Sequence, residues 1–464
     1  MSDAWLWLAG TALAPAVVII AALFAVDVER LRRLAVIAAA SMLLATFVIA
    51  GTPDFRRIAW TVSSLSWGGG EAIIRVDTLS AAFLPFAAGL WLLTVAVTPR
   101  ASLDRGGVLR TALATLITLA SFLTESAVVL LVLSVASVWT FMAALQDSAH
   151  GYQRRIAGIY LGGSTLLFAI GVVLMAPAAP RTGTAGMWCI VIAALIRKGI
   201  VPFHAWVPEV FDHGRLGPAI LFSAPQLGAY MTVVLIVPRA SPEALRLIAI
   251  LALGTAVYGA ALALVQTSAR RACGYLFMSQ SALVMAGLDG RSESALAGGL
   301  LVWLSAGLAF AGLARCVLVL EARRGRLDLR TFHGGYERMP LLAITFLGMG
   351  LACTGFPGTL GFVGQELLVD GAVDEFPVMG FAIVVASALT GLAVLRMYFS
   401  LFCGRASAPA APGLRFGLTR REAWTFVALV IALVGLGLAP RPLVDSRFAA
   451  AAEILRFREG SVGR

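Results

Sequence analysis

The chain has 464 residues, 59% of them hydrophobic and only 13% charged, with a mean hydropathy of +0.89. That balance excludes a soluble domain and points to an integral membrane protein. The net charge of +11 is spread over short polar links, so it is read as a signal of membrane orientation and not as a nucleic-acid footprint.

Apolar runs of spanning length fall near residues 4–25, 34–51, 77–98, 109–124, 127–146, 156–176, 185–206, 217–238, 244–266, 272–288, 294–320, 339–362, 376–403 and 422–440. They predict an all-α membrane fold of about fourteen transmembrane helices. The first run lacks a preceding basic stretch and is read as a helix, not as a cleaved signal. Asp445–Arg464 is read as a short polar tail with one or two amphipathic turns. With the N-terminus outside, the inside links hold most arginines, among them Arg30, Arg32, Arg33, Arg105, Arg110, Arg154, Arg155, Arg270, Arg271, Arg323, Arg324 and Arg405. The outside links hold fewer, chiefly Arg56, Arg57, Arg181, Arg239, Arg246 and Arg291. The asymmetry places both termini on the periplasmic side of an inner membrane.

Five cysteines stand singly, without a CxxC pair, and His150, His204, His213 and His333 have no metal-ligand spacing. Gly68–Gly70 lies in a link between spans and does not make a nucleotide loop. No cofactor, metal or nucleotide site is expected, and no redox or hydrolytic chemistry of the chain's own.

Lys198, in MWCIVIAALIRKGIVPFHAWVP (Met187–Pro208), is the only lysine among 36 basic residues. An amine inside an apolar run is unfavourable by roughly 2.5 kcal/mol or more unless it faces a partner or water. Unlike arginine it can release its proton. Pro202 follows and is read as a helix break. A second proline flanked by glycine, Pro357, lies in LACTGFPGTLGFVGQELLVDG (Leu351–Gly371), ahead of Gln365 and Glu366. Two broken helices at matched places in two halves point to inverted repeats around a midplane ion path. The bland alternative at Lys198 is a lysine that only fixes helix packing.

Several phrases in chain order resemble the antiporter-like membrane subunits of respiratory complex I and of multisubunit cation/proton antiporters. They are RVDTLSAA (Arg75–Ala82), KGIVPFHAWVP (Lys198–Pro208), QTSARRACGYLFMSQ (Gln266–Gln280), GGYERMP (Gly334–Pro340), the Gly355–Glu366 segment and LRMYFSLFCG (Leu395–Gly404). The resemblance implies N-terminal helices 1–3 over residues 1–108 and a first inverted repeat, helices 4–8, over 109–238. The second repeat, helices 9–13, covers 239–404, and helix 14 with its tail covers 405–464. Helices 7 and 12 are the broken ones. Against the family's chain of charges, the helix-5 glutamate falls on Ser134 and the helix-8 cation on Gln226 or Phe222. The helix-11 lysine falls near Ala309 and the helix-12 ionisable group on Gln365. Lys198 is the pathway amine that survives.

Candidate pathway residues are therefore Lys198, His204, Glu125, Glu209, Gln226, Gln365 and Glu366, with Asp212 beside Glu209 at an inner mouth. Arg315 and Arg396 are expected to bind carboxylates or to snorkel. The leading expectation is a proton- or cation-translocating subunit of a larger energy-coupled complex such as a NADH–quinone oxidoreductase-like assembly, with other membrane subunits as partners. A second reading is the membrane subunit of an inorganic-carbon uptake complex, driven by a cation gradient and paired with a large cytoplasmic zinc protein. A third is a non-conducting scaffold.

Overall fold

The computed structural model describes residues 2–24, 27–52, 59–61, 72–145, 151–176, 183–404 and 417–462. Arg56, Arg57, Gly68–Gly70, His150, Arg181 and Arg405 lie outside the described residues. Each apolar run coincides with helix. The N-terminal part holds α1 (Ser2–Leu23), α2 (Val28–Gly51), a short antiparallel pair β1 (Ala59–Thr61) and β2 (Ala72–Arg75), then α3 (Ser80–Val97). Next come α4 (Arg105–Phe122), α5 (Ala127–Ala144), α6 (Gly151–Leu174), α7 (Gly183–Lys198), α8 (Trp206–His213), α9 (Leu216–Ser223) and α10 (Leu227–Met231). The remainder is α11 (Pro242–Val265), α12 (Ala269–Leu288), α13 (Glu293–Arg324), α14 (Pro340–Cys353), α15 (Leu360–Glu375), α16 (Pro377–Phe402), α17 (Arg420–Leu438) and α18 (Arg441–Val462). Among the described residues, 10 helical stretches are long and apolar enough to cross a membrane.

Polar residues just outside the apolar runs start the helices. Asp104 caps α4 by accepting from the Gly107 amide, Ser241 precedes Pro242 at the start of α11, and Ser268 and Ser292 cap α12 and α13. Thr419 and Glu422 form a reciprocal capping box on α17. Each satisfies amides that the first turn leaves without partners.

The 32-residue α13 is the axis of the bundle: 94% of its apolar window is buried, against 17% for α17, which lies at the periphery. Gly298 lets α13 and α15 approach backbone to backbone, since a Cβ there would meet the Leu368 nitrogen at 2.5 Å. Small residues at such crossings are how membrane helices pack without a hydrophobic drive between them. Trp139, Phe381 and Trp424 are exposed on the outer helices, the apolar surface a bilayer would cover.

Three parts of the sequence reading need correction. Asp445–Arg464 is no polar tail: its residues belong mostly to α18, which packs on α13. The buried Arg447 of α18 donates to the Leu79 carbonyl (3.1 Å) and to that of Thr78, tying the last helix to the start of α3. Arg32, counted among link arginines, is 3% exposed within α2. The run 217–238, read as one span, is interrupted too: α9 ends at Ser223, Gln226 adopts a left-handed backbone (φ 53°), and α10 passes into a π-turn at Thr232–Ile236.

Candidate functional site

At the first break the backbone, and not the proline alone, ends the helix. Lys198 is the last residue of α7, and Gly199 follows at φ +70°. The Gly199 amide donates to Ile196 (3.1 Å) and the Ile200 amide to Leu195 (3.0 Å), the Schellman pattern that uses up carbonyls at a helix C-terminus. Pro202 lies in the turn between α7 and α8. Side chains from three helices complete the backbone's hydrogen bonds. Trp206 Nε1 donates to the Ile196 carbonyl (2.9 Å), Thr255 Oγ1 accepts from the Val201 amide (3.1 Å), and Ser281 Oγ donates to the Lys198 carbonyl (3.3 Å).

The Lys198 side chain is left for other work. It is 1% exposed and packs against Gly228, where a Cβ would come within 2.8 Å of Lys198 Cγ. Its Nζ donates to Gln226 Oε1, so the left-handed turn between α9 and α10 aims a neutral amide at the amine. The Pro225 carbonyl freed by that turn is taken by Trp303 Nε1 (3.1 Å). Among the described residues Lys198 makes no ion pair. The carboxylate whose charge reaches it is Asp289, at the C-terminus of α12, which also feels Arg458 of α18. Asp289 is 2% exposed, and neither oxygen has a hydrogen-bond partner among the described residues.

Of the other expected residues, only Gln226 joins Lys198. His204 lies in the turn after Pro202, its ring edge-on to Tyr258 (5.4 Å), and among the described residues it makes no hydrogen bond to the amine. Glu209 on α8 pairs with Arg271 (3.2 Å) and His213 (3.3 Å) at the arginine-rich end of the bundle, where Asp212 meets Arg326 (3.3 Å) and Ser268 (2.7 Å). Glu125 stands at the opposite end, between α4 and α5, bound to Arg75 (2.8 Å), which also holds Glu453 of α18 (2.5 Å). Burial pushes the Glu125 carboxyl up from its usual range while the Arg75 guanidinium pulls the other way. Burial lowers Arg75 in turn, and its carboxylate neighbours Glu125, Asp77 and Glu453 outweigh that and raise it.

At the second break, α14 ends at Cys353 and Gly355 stands at φ +71°, two residues before Pro357. The Phe356 amide donates to Leu351 (3.0 Å). Gln365 Nε2 donates to the Cys353 carbonyl (3.2 Å) and Gln365 Oε1 accepts from Ser387 Oγ (2.9 Å). Glu366 is exposed and lines a surface hollow with Asp370, Arg441 and Asp445, away from Gln365.

Sequence reasoning missed Asp289 and Arg197. Arg197, beside Lys198, is 6% exposed and bonds Ser134 Oγ (3.0 Å) and Ser137 Oγ (2.8 Å), with its guanidinium 5.0 Å from the Phe222 ring. Arg315 and Arg396, expected to bind carboxylates or to snorkel, serve backbone and hydroxyl groups. Arg315 bonds Thr94 Oγ1 (3.0 Å) and the Gly217 carbonyl (3.2 Å), and Arg396 bonds the Leu264 and Gln266 carbonyls at the end of α11.

Residues 156–390 are matched by the family model described as NADH:quinone oxidoreductase/Mrp antiporter, TM. The NADH-quinone oxidoreductase subunit M of Escherichia coli (strain K12) is 28% identical over 280 residues, 58% of this chain and 54% of that protein. Its counterpart in Pseudomonas aeruginosa is 30% identical over 263 residues, 55% of this chain and 50% of that one. The chain spans about half the length of the curated relatives it matches. In fold it is similar to a chain of the Mrp complex from Dietzia sp. DQ12-45-1b, with a TM-score of 0.87 and 17% identity over 98% of both chains. It is likewise similar to a chain of respiratory complex I from Thermus thermophilus with bound NADH, with a TM-score of 0.85 and 20% identity over 97% of this chain and 99% of that one.

Proposed function

The chain belongs to the NADH:quinone oxidoreductase/Mrp antiporter membrane family, and from that premise we propose that it is a proton- or cation-translocating subunit of a larger energy-coupled membrane complex, with Lys198 as its working amine. The observation that carries this is the setting of Lys198: the one lysine, buried at a helix break whose backbone is satisfied by other residues, its Nζ on a neutral amide with no bound carboxylate. Gln226 Oε1 accepts a hydrogen bond from Nζ whether the amine is charged or neutral. It can therefore hold the amine in place through a cycle of proton gain and loss without fixing its charge.

The two inverted repeats are assigned to residues 109–238 and 239–404, with both termini on the periplasmic face of the inner membrane. The like construction of the breaks at Gly199 and Gly355 supports that division. Fusions of a periplasm-only and a cytoplasm-only reporter at Arg464 test the orientation, which a signal from the cytoplasmic reporter alone would overturn. Proton flux in vesicles containing the assembled complex tests the path: Lys198→Ala stops it, and unaltered flux refutes the assignment.

A second reading, a membrane subunit of an inorganic-carbon uptake complex beside a soluble zinc protein, is favoured by the neutral second break. Co-purification from native membranes separates the two, since a single large zinc-containing partner supports this reading and a set of quinone-reductase subunits the first.

A further inference from the structure

Below the arginine-rich end, among α2, α3, α4, α5, α9 and α13, lies a cavity of about 320 Å³. Its charged lining is one-sided: Arg32, Arg110, Arg215, Arg270 and Arg315 face the single carboxylate of Asp104, with His213 beside them. Some of this charge is met locally. Asp104 pairs with Arg110 (3.3 Å) and lies 3.7 Å from Arg215, and Glu321 takes Arg270 (2.5 Å).

Arg32 and Arg315 are different. They are 3% and 1% exposed, and neither makes an ion pair among the described residues. Arg32 gives one bond, from Nη2 to the Ala96 carbonyl (3.0 Å), and its Nε and Nη1 have no partner there. Glu29 and Glu422 act on its charge from a distance, opposed by Arg421 and Arg100. Arg315 uses Nη2 on Thr94 and Gly217, and its Nε has no partner. A buried guanidinium with unmet donors is unfavourable twice, through its charge and through each lost hydrogen bond. An anion in the cavity opposes this buried charge, and a cavity of this sign repels hydronium and alkali cations. Ser137, whose hydroxyl accepts from Arg197, lies on the cavity wall and can donate its own proton to an anion. Arg197 backs the same wall through its bond to Ser137 (2.8 Å).

We propose that this cavity binds a small monovalent anion from the aqueous phase, of the size of chloride, nitrate or hydrogencarbonate, held chiefly by Arg315 and Arg32. The planar guanidinium fork favours a planar oxyanion over a halide. The assignment stands apart from the Lys198 path, because binding is read without transport.

The test uses the full chain in nanodiscs of phosphatidylcholine, which carries no net negative headgroup. Unfolding temperature is titrated with sodium chloride, nitrate or hydrogencarbonate, with gluconate holding ionic strength constant. A saturable rise with at least one small anion is expected. Arg315→Gln should weaken the apparent Kd by about tenfold or more, the size of one charge-assisted hydrogen bond. Arg32→Gln and Arg110→Gln replace it should Arg315→Gln not fold. Wild-type affinity in the folded Arg315→Gln or Arg32→Gln protein overturns the proposal. So do identical curves in all four salts, or stabilisation only after anionic lipid is added, which would make the occupant a headgroup phosphate.

Discussion

The two broken helices share one backbone device and differ in what the nearby polar side chain is used for. At both, a glycine at positive φ, Gly199 or Gly355, ends the helix, and the next amide reaches back five residues, Ile200 to Leu195 and Phe356 to Leu351. At the first break Trp206, Thr255 and Ser281 satisfy the freed backbone, and the Lys198 amine is spared for Gln226. At the second, Gln365 itself meets the Cys353 carbonyl, so its amide is part of the scaffold. A broken membrane helix is thus not in itself an ion site. What matters is whether its exposed backbone is repaired by other residues or by the one that would carry the ion.

The largest effect that could break this contrast is at Lys198. Lys198→Ala should cut ion flux about tenfold or more while membrane insertion is kept, because the amine itself is unfavourable in lipid. Lys198→Arg should fail nearly as badly, since arginine keeps its proton. Flux in reconstituted complex with either variant near wild type would mean that the first break is as structural as the second.

Next come the glycines. Gly199→Ala and Gly355→Ala should each cost about 1–3 kcal/mol of stability, from the left-handed backbone and the crowding that a Cβ meets. That Cβ would sit 2.5 Å from Val207 Cγ2 at the first site and 2.3 Å from Gln365 Oε1 at the second. Thermal unfolding in detergent checks both, and a large cost at only one would show that the shared device is superficial.

Gln226→Leu should give an intermediate loss of flux, because Nζ loses its acceptor while the amine remains. Gln365→Ala should lower stability by about 1–3 kcal/mol, leaving the Cys353 carbonyl unmet, with little change in flux. If flux falls as far as in Lys198→Ala, the second break conducts as well. The smallest effect is expected at Glu366→Gln, within about 0.5 kcal/mol in stability as for an exposed site, with flux unchanged.

Much of this was legible in the sequence. Apolar runs fixed the places of the helices, and an only lysine next to Gly-x-x-Pro marked the site. Pro225 lies in the middle of the run 217–238, yet a proline in a long apolar stretch reads as a kink. That it turns Gln226 left-handed and onto Lys198 is a matter of packing between α7, α10 and α13. Asp289 follows an apolar run and precedes a glycine, the pattern of a link; it is buried at an end of the bundle where α18, through Arg458, reaches its charge. Glu125 and Glu209 had the right chemistry, and their partners Arg75 and Arg271, distant in sequence, hold them away from Lys198, while Glu366 faces a surface hollow. Arg32 and Arg315 looked like boundary arginines because hydropathy does not distinguish a charge facing a headgroup from one facing a cavity.

Arg447 donates to the carbonyls of Leu79 and Thr78 across 368 and 369 positions of chain. At synthesis rates of about 5–20 residues per second, the start of α3 waits roughly 20–70 s for the helix that completes it. During that time Arg75 lacks Glu453, and the head of α3 lacks the Arg447 guanidinium that binds its first carbonyls. The early helices can enter the membrane one after another, but this corner of the bundle closes only once α18 has been made. A nascent chain stalled before α18 would therefore expose one defined, hydrated seam to quality-control proteases, even with all its other helices in place.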